Sequence, residues 1–229
     1  MPTHARSGNM VRWGIAAALG LGGRCALAVA NGRPEEPVRW VLEDVKSVGG
    51  HTPTVLGAPK FDEKAPAMRF NGADDGLIVP VNPLSGCSEF TIEVLFQPDV
   101  SGPAEQRFLH FQEVDNHRGL LEIRLKETGQ WSLDTFLCSG ENQLTLLDRT
   151  KLHPAGKWTW VALVYDGRKM TSFVNGAKEL EGEVTFAPMK TGQTSLGVRL
   201  NKVFWFKGAI REVRFHPRAL EAAKLQRVK

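Results

Sequence analysis

Two carboxylates held at a set separation are the simplest machinery for cleaving a glycosidic bond, about 5–5.5 Å apart for retention and about 6.5–9.5 Å for inversion. On a β-strand, residues two apart face the same way, so carboxylates at i and i+2 would both meet one substrate. The nearest candidates are Glu122 and Glu127 in EIRLKE. Arg124 takes the i+2 position and Glu127 falls on the opposite face, so this strand reads as a charged solvent face. Glu181 and Glu183 are two apart but follow a hairpin signal, which puts them on a wet edge. Nucleophilic hydrolysis is not signalled: the chain has no G-x-S-x-G elbow. His51, His110, His117, His153 and His216 are scattered, and none has metal-ligand spacing.

Binding has better candidates. Sugar sites on β-sandwiches combine an aromatic platform with planar polar side chains. Asp115, Asn116 and His117 open one polar loop, Ser139 to Gln143 form another that includes Glu141 and Asn142, and Trp131 follows the Gly129 turn. Together these could line one rim, with Asn201 and Trp205 as a fainter candidate. The alternative is equally physical: Trp131 as a core residue and the loops as solvated turns.

Composition narrows the partners. Lys and Arg number 29 against 25 Asp and Glu, and setting aside Arg6, Arg12 and Arg24 leaves 26 against 25. A nucleic-acid partner needs a basic surplus to displace phosphate counterions, so it is set aside. Those three arginines lie in residues 1–30, which read as an export signal: Arg6 and Arg12 as the basic region, Trp13 to Gly23 as the apolar run, and Ala28-Val29-Ala30 as the cleavage site. Arg24 is an atypical interruption, and a start at Met10 would give a tighter signal; an untargeted leader is the other reading. The apolar run is shorter than the roughly 20 residues a membrane span needs, so no membrane insertion of the mature chain is expected. The expected location is secreted, periplasmic or cell-surface. Cleavage would leave Cys87 and Cys138, which form either a disulfide, worth about 4 kcal/mol in the chain-entropy model, or two separate buried thiols.

The elements that must position these groups are strands. Phe90, Ile92, Val94 and Phe96 alternate with polar residues, as do Leu121, Ile123 and Leu125. Residues 158–165 (WTWVALVY) are apolar on both faces and predict a covered central strand. Asn175-Gly176 between TSFV and AKEL predicts a two-residue hairpin turn. Helical spacing appears only at the end, where Pro217 leads into RALEAAKL. After a 31–37 linker (NGRPEEP), residues 38–229 read as one all-β domain: an antiparallel two-sheet jelly-roll sandwich with a short C-terminal helix.

Four segments in order go further. MRFNGADDGLIVP (68–80), SEFTIEVLFQPD (88–99), KWTWVALVYDG with MTSFVNG (157–176), and FKGAIREVRFHPRALEAAKLQ (206–226) resemble the successive motifs of LamG-like, concanavalin A-like domains. The resemblance covers about Val38 to Gln226. It implies Trp158 and Trp160 in the core, Ile210, Val213 and Phe215 packing inward, and Gly208 relieving crowding. It also implies either no cofactor or a structural Ca²⁺ on Asp74 and Asp75, which otherwise shape a turn through Asx hydrogen bonds. Leu95 and Arg211 depart from the family pattern, and Arg211 replaces an acidic residue. The function implied is an exported binding module for a glycan or an extracellular protein. The alternatives are a jelly-roll glycosidase or lyase, and an assembly protein that uses its sheet as an interface.

Overall fold

Strict alternation of large apolar residues leaves a strand one way to satisfy itself: bury one face against a second sheet. The computed structural model describes residues 36–228, and there the chain does this as two eight-stranded antiparallel sheets. The first sheet contains β1 (Val38–Val41), β3 (Lys60–Asp62), β4 (Ala67–Asn71), β6 (Phe90–Pro98), β12 (Thr159–Tyr165), β13 (Lys169–Val174), β14 (Ala177–Glu183) and β16 (Lys207–His216). Its order is β14-β13-β12-β6-β16-β4-β3, with β1 also on β16. The second contains β2 (Thr54–Leu56), β5 (Gly76–Val79), β7 (Glu105–Val114), β8 (His117–Leu125), β9 (Gln130–Ser139), β10 (Asn142–Leu147), β11 (His153–Pro154) and β15 (Gln193–Leu196). Its order is β10-β9-β8-β7-β15-β5-β2, with β11 on β9. The expected export signal lies outside the described residues, and so does most of the linker. No helix among the described residues is long and apolar enough to cross a membrane.

The interior is filled as the alternation requires. Phe90, Ile92, Val94 and Phe96 point inward from β6, and Leu121, Ile123, Leu133 and Leu137 from the opposing sheet. Phe96 stacks on Phe108 at 4.5 Å and meets the edge of Trp131 at 5.2 Å. Ile210, Val213 and Phe215 pack in the same cluster. Gly208 is required: a Cβ there would sit 2.4 Å from Gln97 O. Asn175 and Gly176 both take positive φ, 47° and 71°, in the hairpin joining β13 to β14.

Three expectations are corrected. The C-terminal helix is only a 3₁₀ turn over Ala222–Lys224. Thr91 Oγ1 donates to Arg218 O and accepts from Leu220 N, and Glu93 Oε1 accepts from Gln226 N at 2.6 Å. These bonds capture backbone groups that a helix would need for itself, so RALEAAKL spreads across the outer face of the first sheet. There Leu225 covers Ala162, Val164 and Phe173. Trp158 and Trp160 belong to this outer face too, outside the core cluster, beneath Arg211 (4.3 Å) and Arg214 (5.0 Å). That stacking accounts for a cation at position 211. Finally, no disulfide joins Cys87 to Cys138. Cys87 sits in the sandwich core, whereas Cys138 shares the parity of Ser132 and Asp134 and faces outward, where its Sγ donates to Asn116 O at 3.4 Å. A sheet separates them.

Candidate functional site

The strands β7, β8 and β9 are consecutive neighbours, so one core-facing set of side chains dictates what appears on the other side. With Leu121 and Ile123 inward, Arg118, Leu120, Glu122 and Arg124 must face out. With Trp131 and Leu133 inward, Ser132, Asp134 and Phe136 must do so. Register shifts at Arg107/Leu109 and Gln112/Val114 adjust the phase of β7. The result is an ordered set of cross-strand rows: Glu105–Arg124–Ser132, Arg107–Glu122–Asp134, His110–Leu120–Phe136 and Gln112–Arg118–Cys138.

The middle rows carry a buried ionic network. Arg107 Nε lies 2.7 Å from Glu122 Oε2, and Arg107 Nη1 donates to Glu105 Oε2 at 3.0 Å. Arg124 Nε donates to Asp134 Oδ2 at 2.8 Å, Arg124 Nη2 reaches Glu122 Oε2 at 3.3 Å, and Arg124 also pairs with Glu105. Glu122 and Asp134 are 4% and 1% exposed, so desolvation dominates their chemistry. Burial first, then the neighbouring Asp134 charge, raises Glu122 to about 7 against the opposing pull of Arg107 and Arg124. Burial raises Asp134 as well, although Arg124 opposes it. The charged solvent face expected at Glu122 is therefore a buried, strongly coupled site.

A loop far along the chain completes it. Residues 197–206, between β15 and β16, fold over this face. Arg107 N donates to Phe204 O at 2.9 Å, and Leu200 N donates to His110 Nδ1 at 3.0 Å. Lys202 and Phe204 hold φ of 61° and 59°, positions non-glycine residues adopt only when their surroundings enforce them. Arg107 stacks 3.7 Å from the Phe204 ring centroid, and Arg118 lies 5.3 Å from that of Phe136. Arg199 sits among Arg118 and Arg107, and its pKa is lowered by burial and then by those two cations. Burial and Arg199, Arg118 and Arg107 together push His110 down to about 3, so its imidazole is neutral. A cavity of ≈ 170 Å³ opens among Arg107, Arg118, Arg124 and Arg199, with Glu122 and Phe136 in its wall. Arg118 Nε, His110 Nε2 and Asp134 Oδ1 are buried without a hydrogen-bond partner among the described residues.

The site residues expected from sequence are distributed differently. Gly140 N donates to Asn116 O, which sets the Asp115–His117 turn beside the Glu141–Asn142 turn at one end of the second sheet. His117 is tied down there, Nδ1 to Glu113 Oε2 at 2.9 Å and Nε2 to Ala187 O at 2.8 Å. Asp115 borders a ≈ 330 Å³ cavity with Gln112 and Asn201, and Asn142 borders one of ≈ 290 Å³ with Arg168. Trp131 does not join them. It is fully buried at the other end of β9, with Nε1 donating to Pro154 O, because its parity is that of Leu133. Asp74 and Asp75 close a turn: Asp75 accepts from Ala58 N and Asn71 N, and Asp74 Oδ1 accepts from Asn71 Nδ2. Lys60, Arg69 and Lys207 border the ≈ 580 Å³ cavity beside them. A calcium ion takes six to eight oxygens, so this donor set does not fit one.

Comparisons with known proteins agree with this architecture. A family model described as the concanavalin A-like lectin/glucanases superfamily matches residues 71–226. No curated protein matches the chain. Among solved structures, domain 4 of AbnA, a GH43 extracellular arabinanase from Geobacillus stearothermophilus in complex with arabinotriose, is 20% identical with a TM-score of 0.60, covering 83% of this chain and 97% of its own. The Ruminococcus gnavus IT-sialidase CBM40 bound to α2,3-sialyllactose is 17% identical with a TM-score of 0.56, covering 69% and 94%. The binding domain of botulinum neurotoxin DC in complex with SialylT is 12% identical with a TM-score of 0.62, covering 82% of this chain and 50% of that one. At these identities the likeness establishes a shared fold.

Proposed function

The chain belongs to the concanavalin A-like lectin/glucanase superfamily, and from that membership we propose that it is an exported, non-catalytic module that binds glycan on the outer face of its second sheet. One observation carries the reading: the β7–β8–β9 face and the 197–206 loop gather four arginines, Glu122, Asp134 and the half-exposed ring of Phe136 around a cavity, with Phe204 stacked on Arg107 and with donors left unpartnered. Desolvated guanidinium forks beside aromatic rings supply both the planar hydrogen bonding and the stacking surface that a sugar uses. A purely structural network would be expected to satisfy its own donors. The glycan-bound modules with this fold support the reading by likeness. A glycan array, followed by calorimetry on the hits, tests it. Binding should be lost in Phe136→Ala and in Arg118→Gln, while melting temperature stays near that of the parent. Hits whose affinity is unchanged in both variants, or an array with no hits beside a captured protein ligand, would sink it.

A second reading has a specific observation behind it. Glu122 and Asp134 are directly opposed on neighbouring strands, and burial raises the pKa of both, as in the acid of a glycosidase pair. Against this, Arg124 bonds to both carboxylates and occupies the space between them. Sustained reducing-sugar release from a polysaccharide panel, abolished by Glu122→Gln, would establish the enzyme instead.

A further inference from the structure

We propose that the ligand of this face is anionic, a sugar bearing a carboxylate or sulfate group, and that Arg118 and Arg199 are the residues that take its charge. The proposal deepens the glycan-binding reading and rests on it for the sugar, though not for the anion.

Two of the four cations are already satisfied. Arg107 and Arg124 share Glu105, Glu122 and Asp134 among them. Arg118 and Arg199 have no carboxylate within ion-pair distance among the described residues. The cross-strand neighbours of Arg118 are Gln112 and Cys138, both uncharged. Arg118 Nε is buried with no acceptor, and His110 Nε2 beside it has none either. The Nδ1 of His110 accepts from Leu200 N, which leaves its proton on Nε2 as a donor. Arg118 with its orphaned N–H and the partly buried Arg199 beside it form an electrostatic deficit that one anion would fill. Burial first, and then the nearby Arg118 and Arg107, lower the proton affinity of Arg199 against the opposing pull of Glu122 and Asp115.

Geometry narrows the class. The ≈ 170 Å³ cavity accommodates a single charged group and part of a ring, not an extended chain of phosphates. The near-balanced charge of residues 31–229 supplies no basic track for one. A cationic ligand would meet four arginines. A neutral sugar would desolvate Arg118 and Arg199 without compensating them. The rings of Phe136 and Phe204 hold Arg118 and Arg107 in place, so less side-chain entropy is lost on binding.

The test uses the purified protein with three kinds of probe: free glucuronate and inorganic sulfate, the acidic oligosaccharides sialyllactose and a sulfated disaccharide, and neutral lactose. Arginine Nε–Hε resonances and calorimetry are the readouts. The acidic probes should shift the Arg118 and Arg199 signals, bind more weakly as NaCl rises, and lose about tenfold or more in affinity in Arg118→Gln and in Arg199→Gln. Arg211→Gln on the other sheet should leave binding unchanged. Sialyllactose and the sulfated sugar together separate a carboxylate from a sulfate preference. Lactose bound as tightly as sialyllactose, with the arginine variants unaffected, overturns the anion inference and leaves the glycan reading standing. Simple anions that shift both arginines while no oligosaccharide binds sustain the anion site and overturn the glycan reading. Silence from every probe overturns both, and because the resonances are read in the parent protein, an unfolded variant cannot mask the answer.

Discussion

Replacing Glu122 with Gln should make the protein more stable at alkaline pH, against the ordinary expectation that breaking a buried ion pair is harmful. Gln reproduces the shape of the protonated side chain and removes its ability to ionise. In the unfolded chain Glu122 ionises near 4.5, and in the folded protein near 7. Between those values the folded state retains a proton that the unfolded state has released, so wild-type stability falls as pH rises through that window. The 2.5-unit gap corresponds to about 3 kcal/mol, fully expressed above pH 7 and absent below 4.5. The groups facing Glu122 are Arg107 and Glu105 on β7, Arg124 on its own strand and Asp134 on β9. Arg124 sits closer to Asp134 than to Glu122, 2.8 against 3.3 Å, so Glu122 is the weaker competitor for that cation. Urea denaturation of wild type and Glu122→Gln from pH 4.5 to 8.5 gives the difference in stability directly. That difference should move in favour of the variant by about 3 kcal/mol across the series. A difference that is flat, or that shifts toward wild type as pH rises, would show that Arg107 and Arg124 outweigh desolvation, and the account of this network would be wrong.

Other consequences are as concrete. Affinity for an acidic probe should increase between pH 8 and pH 6 as Glu122 takes up its proton and the arginines lose a competitor, a trend that calorimetry at several pH values would show and that Glu122→Gln should abolish. Cys138→Ser should cost less than about 1 kcal/mol by chemical denaturation, because a lost disulfide would instead cost about 2–5. Thr91→Val removes both hydrogen bonds that hold Arg218 and Leu220, so amide exchange over residues 218–228 should accelerate while the sandwich core stays protected. Phe96→Ala, which empties the stack against Phe108 and Trp131, should destabilise by about 3–5 kcal/mol in a thermal or urea melt.

Period-two alternation was enough to predict a two-sheet sandwich and the inward residues of β6 and β8, since a one-residue error would turn every large side chain to water. The inward residues of β16 came with the family resemblance, because a register shift between Ile210 and Glu212 breaks its alternation. Alternation says which face is out, but not what lies over it. The parity that placed Arg118, Glu122 and Arg124 together suited a wet surface as well as a buried cluster. What decided the matter was the 197–206 loop, about eighty residues further on. Asp134, a lone charge inside the apolar run WSLDTFLC, was the available hint. Parity also separates Cys138 from Leu137 and could have argued against the disulfide. The helical spacing of RALEAAKL was real, but Thr91 and Glu93, more than a hundred residues earlier, hold its backbone in another conformation. Trp131 looked like a platform because aromatic residues serve both as anchors and as filler, and its parity alone favoured the interior.

The way the described chain begins and finishes has a practical corollary. β1 lies against β16, and the last dozen residues are strapped over the exterior of that same layer. Both ends therefore emerge on the side away from the arginine cavity. Attachment through a side chain at either end of the described stretch, near Glu36 or Val228, would leave the cationic side facing the solution.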